Sequence, residues 1–165
     1  MSLSRPSKTL ISKYTRAMGT WSVSDVIVDR KSKFQGRCCS LKGQDEIPGI
    51  LEDLVNTNKS VSKASHPCMY AWRTGTETVV EVPGVKRGKK VSKTESRVQN
   101  LEQGCEDCGE AGAGQRLLTL LDHSGVTNVL IVVSRWYGGT PLGSARFRHI
   151  TTAAVESLKK AGFVS

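Results

Sequence analysis

The chain has 165 residues, 38% of them hydrophobic and 24% charged, and a formal net charge of +9. That length supports one domain with a real core, and no apolar run approaches the ~20 residues of a membrane-spanning helix. The five cysteines are odd in number and irregularly spaced, which argues against a secreted disulfide framework and for free thiols in a reducing compartment.

Residues 1–20 hold Arg5, Lys8, Lys13 and Arg16 and no acid. Leu10, Ile11, Tyr14, Ala17 and Met18 recur between them at helical spacing. Three readings stand for such a start: a mitochondrial presequence, a short first helix, or a basic tail. The expected location is cytoplasmic, with the mitochondrion as the alternative if the leader is a presequence.

Trp21 to Asp29 reads as a strand, and Phe34 to Leu41 as its partner across the polar turn Asp29-Arg30-Lys31-Ser32. Asp45 is placed to cap a helix with the stripe Ile47, Ile50, Leu51 and Leu54, with Pro48 tolerated in its first turn. His66 to Arg73 reads as a third strand, alternating Cys68, Tyr70 and Trp72 with Met69, Ala71 and Arg73.

Residues 74–104 break this rhythm. The apolar run from Val79 to Val82 ends at Pro83-Gly84, and Lys86, Arg87, Lys89, Lys90, Lys93 and Arg97 follow against Glu95 alone. The segment is an insertion, either a hairpin or a mobile loop. This stretch and the leader together carry the whole excess charge, so the rest of the chain is balanced. Basic segments of this kind are either solvated or attract nucleic acid without base specificity.

Gly109 to Gly114 opens a helix with Leu117, Leu118, Leu120 and Leu121 on its buried side and Gly125 at its end. Val129 to Val133 is continuously apolar, as a central strand would be. Ser144 is placed to cap a last helix, whose inward stripe is Phe147, Ile150, Thr151, Ala154, Leu158 and Ala161. Lys159 and Lys160 suit its C-terminal end, and Gly162 stops it. The order β, β, α, β, insertion, α, β, α predicts an α+β two-layer sandwich over residues 21–165.

Three places can carry chemistry. The glycines of Arg135-Trp136-Tyr137-Gly138-Gly139 follow a strand and precede a helix, so backbone amides and Arg135, Arg146 and Arg148 can together hold a phosphate or a carboxylate. The same glycines also suit a purely architectural turn. Glu106, Asp107 and Glu110 beside a helix start can bind a hard cation, act as acid and base, or complement the helix dipole. His66 is a further candidate, with a hydrogen-bonded structural role as its alternative. Cys105 and Cys108 form a lone CxxC. A zinc site would need His66 and Cys68 as a second pair, and the adjacent acids oppose a redox thiolate. Neither a cofactor, a resident metal nor a nucleophile motif follows from these patterns, so the expectation leans against an enzyme.

These segments occur in an order that resembles the IMPACT family. Lys31 to Arg37 resembles its SxF segment, and Ala64 to Arg73 its A-[ST]-H-x-x-Y-A-x-R segment. Glu106 to Gly114 resembles E-D-D-G-E-x-x-A-G, with Cys108 where the family has a second acid. Val132 to Gly139 with Leu142-Gly143 resembles V-[ST]-R-[WY]-[YF]-G-G-x-x-L-G. The match spans about residues 22–162 and resembles the ancient, YigZ-like domain without the RWD domain found in eukaryotic members. The resemblance implies a fold like a small-subunit ribosomal protein domain. It also implies a non-enzymatic regulatory role in translation, through the starvation-responsive kinase pathway or the ribosome. Implied partners are a translation-regulatory protein or the ribosome, with RNA and actin as further ones and no membrane. Candidate binding residues are Arg135, Tyr137, Gly138, Gly139, Arg146, Arg148, His66, Arg73, Glu106, Asp107 and Glu110. The alternative is a nucleic-acid-binding module using Lys86, Arg87, Lys89, Lys90 and Lys93 with the Arg135 to Arg148 surface.

Overall fold

The computed structural model describes residues 21–165, so the basic leader lies outside the described residues. Among the described residues six strands form one antiparallel sheet: β1 (Ser22–Val23), β2 (Ile27–Asp29), β3 (Ser32–Ser40), β4 (His66–Lys86), β5 (Lys89–Glu106) and β6 (Val129–Trp136). Their order is β1-β3-β6-β4-β5, with β2 also paired to β3. The helices are α1 (Ile47–Thr57), α2 (Lys59–Ser62), α3 (Ala113–Ser124) and α4 (Ala145–Ala161).

The α+β architecture is the expected one. Side chains of a strand alternate between faces, and β6 divides its apolar run accordingly. Val129, Ile131 and Val133 join Leu117, Leu121, Ile150, Ala154 and Leu158 under the long helices α3 and α4. Leu130 and Val132 join Trp72, Ile47, Leu54 and Val61 in a smaller cluster with α1 and α2. Burial on both sides is why this segment shows no polar alternation. The two sets on β4 separate in the same way, Met69 and Ala71 to the first cluster and Trp72 to the second.

Several local expectations need correction. The strand expected over Trp21 to Asp29 is broken into β1 and β2. Ser24 Oγ accepts the Gly36 N–H at 2.9 Å, a local side-chain bond in place of a regular rung. Asp45 lies in a 3-10 turn, and α1 has no side-chain cap. Pro48 occupies the start of that helix and removes an amide that a cap would take. Ser144 does hold the N-cap position of α4, but its φ of −67° and ψ of −19° are helical and its side chain makes no cap bond, because capping requires an extended residue there. At the far end of α4, Ala161 is exposed, while Ala153 and Ser157 are buried.

The insertion is a hairpin. β4 runs on to Lys86 and β5 returns from Lys89, with Lys86 opposite Lys89. The two residues between them, Arg87 and Gly88, have φ of +51° and +77°, the pattern of a two-residue turn whose twist suits a hairpin. A register shift at Thr74/Thr76 marks where the strands leave the body. Beyond it no residue belongs to either core cluster, and Val79, Val85 and Val91 are exposed.

Candidate functional site

Arg135 sits near the end of β6, opposite Phe34 of β3 on one side and His66 of β4 on the other. It shares parity with Val129, Ile131 and Val133, so its side chain enters the face covered by α3 and α4. There it is 4% exposed and meets Glu110, which is 3% exposed, in the loop between β5 and α3. Arg135 Nη1 donates to Glu110 Oε2 at 2.7 Å. Arg146, in the first turn of α4, places Nη1 3.0 Å from Glu110 Oε1. His66 Nε2 lies 3.3 Å from Glu110 Oε2, and its Nδ1 lies 2.8 Å from the Cys108 carbonyl oxygen.

One buried carboxylate thus gathers two guanidiniums and an imidazole from three other segments. Two guanidiniums against one carboxylate leave a positive excess even with the ring neutral. Both ring nitrogens of His66 face acceptors. Aromatic faces brace the cluster: the Arg135 guanidinium lies 5.2 Å from the Phe34 ring centre and 5.5 Å from that of Tyr137. Arg146 and Arg116 lie 4.7 Å and 4.8 Å from the Phe147 ring centre. Such contacts favour a desolvated cation.

The glycine loop frames this cluster. A Cβ at Gly138 would fall 2.2 Å from the Lys31 carbonyl carbon, so only glycine lets the loop lie against the β2–β3 turn. Serines from two other segments anchor it, since Ser32 Oγ accepts the Gly138 N–H at 3.0 Å and Ser65 Oγ accepts the Tyr137 N–H at 2.9 Å. Gly139 follows with φ of +95°. The result is a cleft of about 410 Å³ lined by His66, Glu110, Arg135, Tyr137, Gly143 and Arg146, among others.

Other sequence candidates lie elsewhere. Arg148, two residues past Arg146 on α4, is exposed and is not among the residues lining the cleft. Arg73 is buried and donates Nη1 to the carbonyls of Leu121 and Val126 at 3.1 Å and 3.2 Å, satisfying the C-terminal end of α3. Asp107 accepts the N–H groups of Gly112 and Gly114 at 3.2 Å and 2.8 Å and so caps the start of α3. Glu106 is exposed, opposite Tyr70. The three carboxylates therefore do not form one acid cluster. Among the described residues no group of three or more His, Cys, Asp or Glu side chains could hold a metal ion. The Glu110 oxygens already accept from guanidiniums, which leaves this carboxylate poorly placed as a general base.

Two thiols near the cleft, Cys68 and Cys105, are not activated. Burial pushes Cys68 up to about 11, and burial, then Asp107 and Glu106, raise Cys105. Lys86, Arg87, Lys89, Lys90 and Lys93 are all exposed around the hairpin tip. Sequence reasoning missed Phe34 as the ring beneath Arg135. It also missed the bond between His149 Nε2 and Asp29 Oδ2 at 2.7 Å. Phe34 had a signal in its SxF segment; the His149 pair had none, being 120 residues apart in sequence.

The family model described as the Impact N-terminal domain matches residues 30–158. The chain is 56% identical to the IMPACT family member YDL177C of Saccharomyces cerevisiae, over 87% of this chain and 93% of that protein. It is 34% identical to the Protein IMPACT homolog of the same yeast, over 88% of this chain and 48% of that protein. Among solved structures it is similar to that of the two-domain translational regulator Yih1, with a TM-score of 0.53 and 31% identity, over 99% of this chain and 51% of that one. The chain thus spans nearly the whole of the first relative and about half of the other two.

Proposed function

The chain belongs to the family of the Impact N-terminal domain, and from that premise we propose that it is a binding protein of translation regulation, acting without catalysis of its own. The similarity to the translational regulator Yih1 supports this reading. The observation that carries it is the basic hairpin. β4 and β5 extend beyond the core clusters and end in a cationic tip, a shape suited to reaching a large partner such as the ribosome or a regulatory protein of the starvation-responsive kinase pathway. Cosedimentation with ribosomes tests it. The chain is expected in ribosomal or polysomal fractions at low salt; absence from them, with no translation factor recovered in a pull-down, would overturn the reading.

A second reading, direct nucleic-acid binding, is favoured by the same tip. Lys86, Arg87, Lys89, Lys90 and Lys93 crowd its end, and each phosphate contact contributes to the salt dependence of binding. Replacing Lys89, Lys90 and Lys93 by Ala is expected to reduce the log–log salt slope for RNA by about 2–3 units. An unchanged slope would exclude the tip as the contact.

A further inference from the structure

The cleft at Arg135 holds more positive charge than its own carboxylate uses. Among the described residues Glu110 is the one acid lining it, against Arg135, Arg146 and His66. The neighbouring acid Asp107 is engaged with the amides of Gly112 and Gly114, and Glu106 is exposed. The Arg135 side chain is 5% exposed, and among the described residues the Nε groups of Arg135 and Arg146 have no hydrogen-bond partner, as is also so for Arg37 and Arg73 away from the cleft. A buried N–H without a partner costs the desolvation of that group unless a ligand satisfies it. Glu110 engages Nη1 of each guanidinium and so holds both in place, while Nε stays unused on each.

Charge and shape narrow the occupant. A carboxylate would cancel one positive charge. A phosphomonoester is negatively charged and offers three strong acceptor oxygens, enough to bond two guanidiniums at once while offsetting their excess over one carboxylate. The cleft, about 410 Å³, lies in the range of small-ligand sites. At its edge the Tyr137 ring is 48% exposed, and an exposed aromatic beside a cationic site is a platform for a base.

We propose that this cleft binds a terminal phosphomonoester next to a nucleobase, the phosphate at Arg135 and Arg146 and the base on Tyr137. Free nucleoside monophosphates and 5′-phosphorylated RNA ends share that chemistry. The site is separate from the hairpin tip, so it stands or falls independently of the translation-linked reading.

Calorimetry on the full chain tests it, with AMP, adenosine, inorganic phosphate, and one short oligoribonucleotide bearing either a 5′-phosphate or a 5′-hydroxyl. AMP is expected to bind about tenfold or more tightly than adenosine. An oligomer that binds better than AMP, and only when phosphorylated, identifies the RNA end as the ligand; one that binds no better identifies the free nucleotide. Arg146→Gln, which leaves the Arg135–Glu110 pair intact, is expected to weaken AMP by about tenfold. Tyr137→Ala is expected to weaken AMP by a similar factor and leave inorganic phosphate unchanged. Lys89→Ala with Lys90→Ala is expected to leave AMP binding unchanged. The proposal is overturned if no phosphate probe binds, if AMP binds no better than adenosine, or if folded Arg146→Gln binds AMP like the parent; the two oligomers are compared in the Lys89→Ala, Lys90→Ala, Lys93→Ala protein, so that the hairpin tip does not mask the 5′ end.

Discussion

Glu110 shows what a single residue does here. Its two oxygens accept from Arg135 and Arg146 inside the fold, so its charge holds two cations that are costly to bury unpaired. Glu110→Gln is expected to destabilise the protein by about 3–5 kcal/mol, read from urea unfolding. Arg148→Ala, at an exposed position, is expected to change stability by less than about 0.5 kcal/mol. Each member of the cluster was legible as a candidate from its residue type and its neighbours. Their convergence was not, because His66, Glu110, Arg135 and Arg146 come from separate segments and meet only when three strands and a helix pack. Arg73 was misplaced for the same reason: nothing local distinguishes an arginine that reaches a ligand from one that satisfies helix carbonyls.

Buried thiols add a pH dependence. Burial pushes Cys38 and Cys68 up to about 11 and Cys39 up to about 12, against 9.0 for an unperturbed thiol. A folded-state value above the unfolded one favours the neutral thiol in the native protein. The associated stability is present below about pH 9 and is lost as pH rises through 11 to 12. The melting temperature is expected to fall between pH 8.5 and pH 10.5, roughly the range in which the unfolded thiols ionise first. A Cys38→Ala, Cys39→Ala variant is expected to lose less over that range. Equal slopes for the two proteins would assign the fall to other groups.

At the level of elements, the hairpin and the glycine loop differ in what they demand of the sequence. Pro83-Gly84 reads as the end of the apolar run before the basic segment, since these residues usually punctuate strands. Yet Pro83 pairs with Ser92 inside the hairpin. Both strands of a two-stranded arm are edges, so a proline there need not break a ladder. The real turn, Arg87-Gly88, lacks the commonest turn pairs and was hidden among the basic residues. The glycine loop was more legible, but not the reason for Gly138, which depends on the approach of Lys31. Gly138→Ala is expected to cost about 1–3 kcal/mol through overpacking. A melting temperature equal to the parent's would show that the β2–β3 turn yields.

On the scale of the molecule, the basic arm and the balanced body are separable. Replacing residues 77–98 by a two-residue turn removes no member of either core cluster. The shortened protein is expected to melt within a few degrees of the parent, since a ΔΔG of about 1 kcal/mol shifts the midpoint of a domain this size by only ~2–4 °C. It is also expected to lose ribosome or RNA binding. A large fall in melting temperature would instead make the arm part of the folding unit. The fold class was legible because apolar periodicity survives in β4, α3 and α4 and β6 is a continuous apolar run. The strand order was not, because β6 inserts between β3 and β4, and no local pattern announces a crossover.

That insertion orders events in time as well as in space. β6 pairs Ser40 with Val129 and Phe34 with Arg135, contacts between residues distant along the chain. Until β6 emerges during synthesis, β3 and β4 expose the edges it will cover, and both core clusters lack the central strand. A nascent chain stopped before Val129 therefore presents sticky, unpaired strands of the kind that recruit chaperones. Refolding of the complete chain is expected in milliseconds to seconds, as for other sheets closed by distant pairings, with both faces consolidating in one step when that last strand docks.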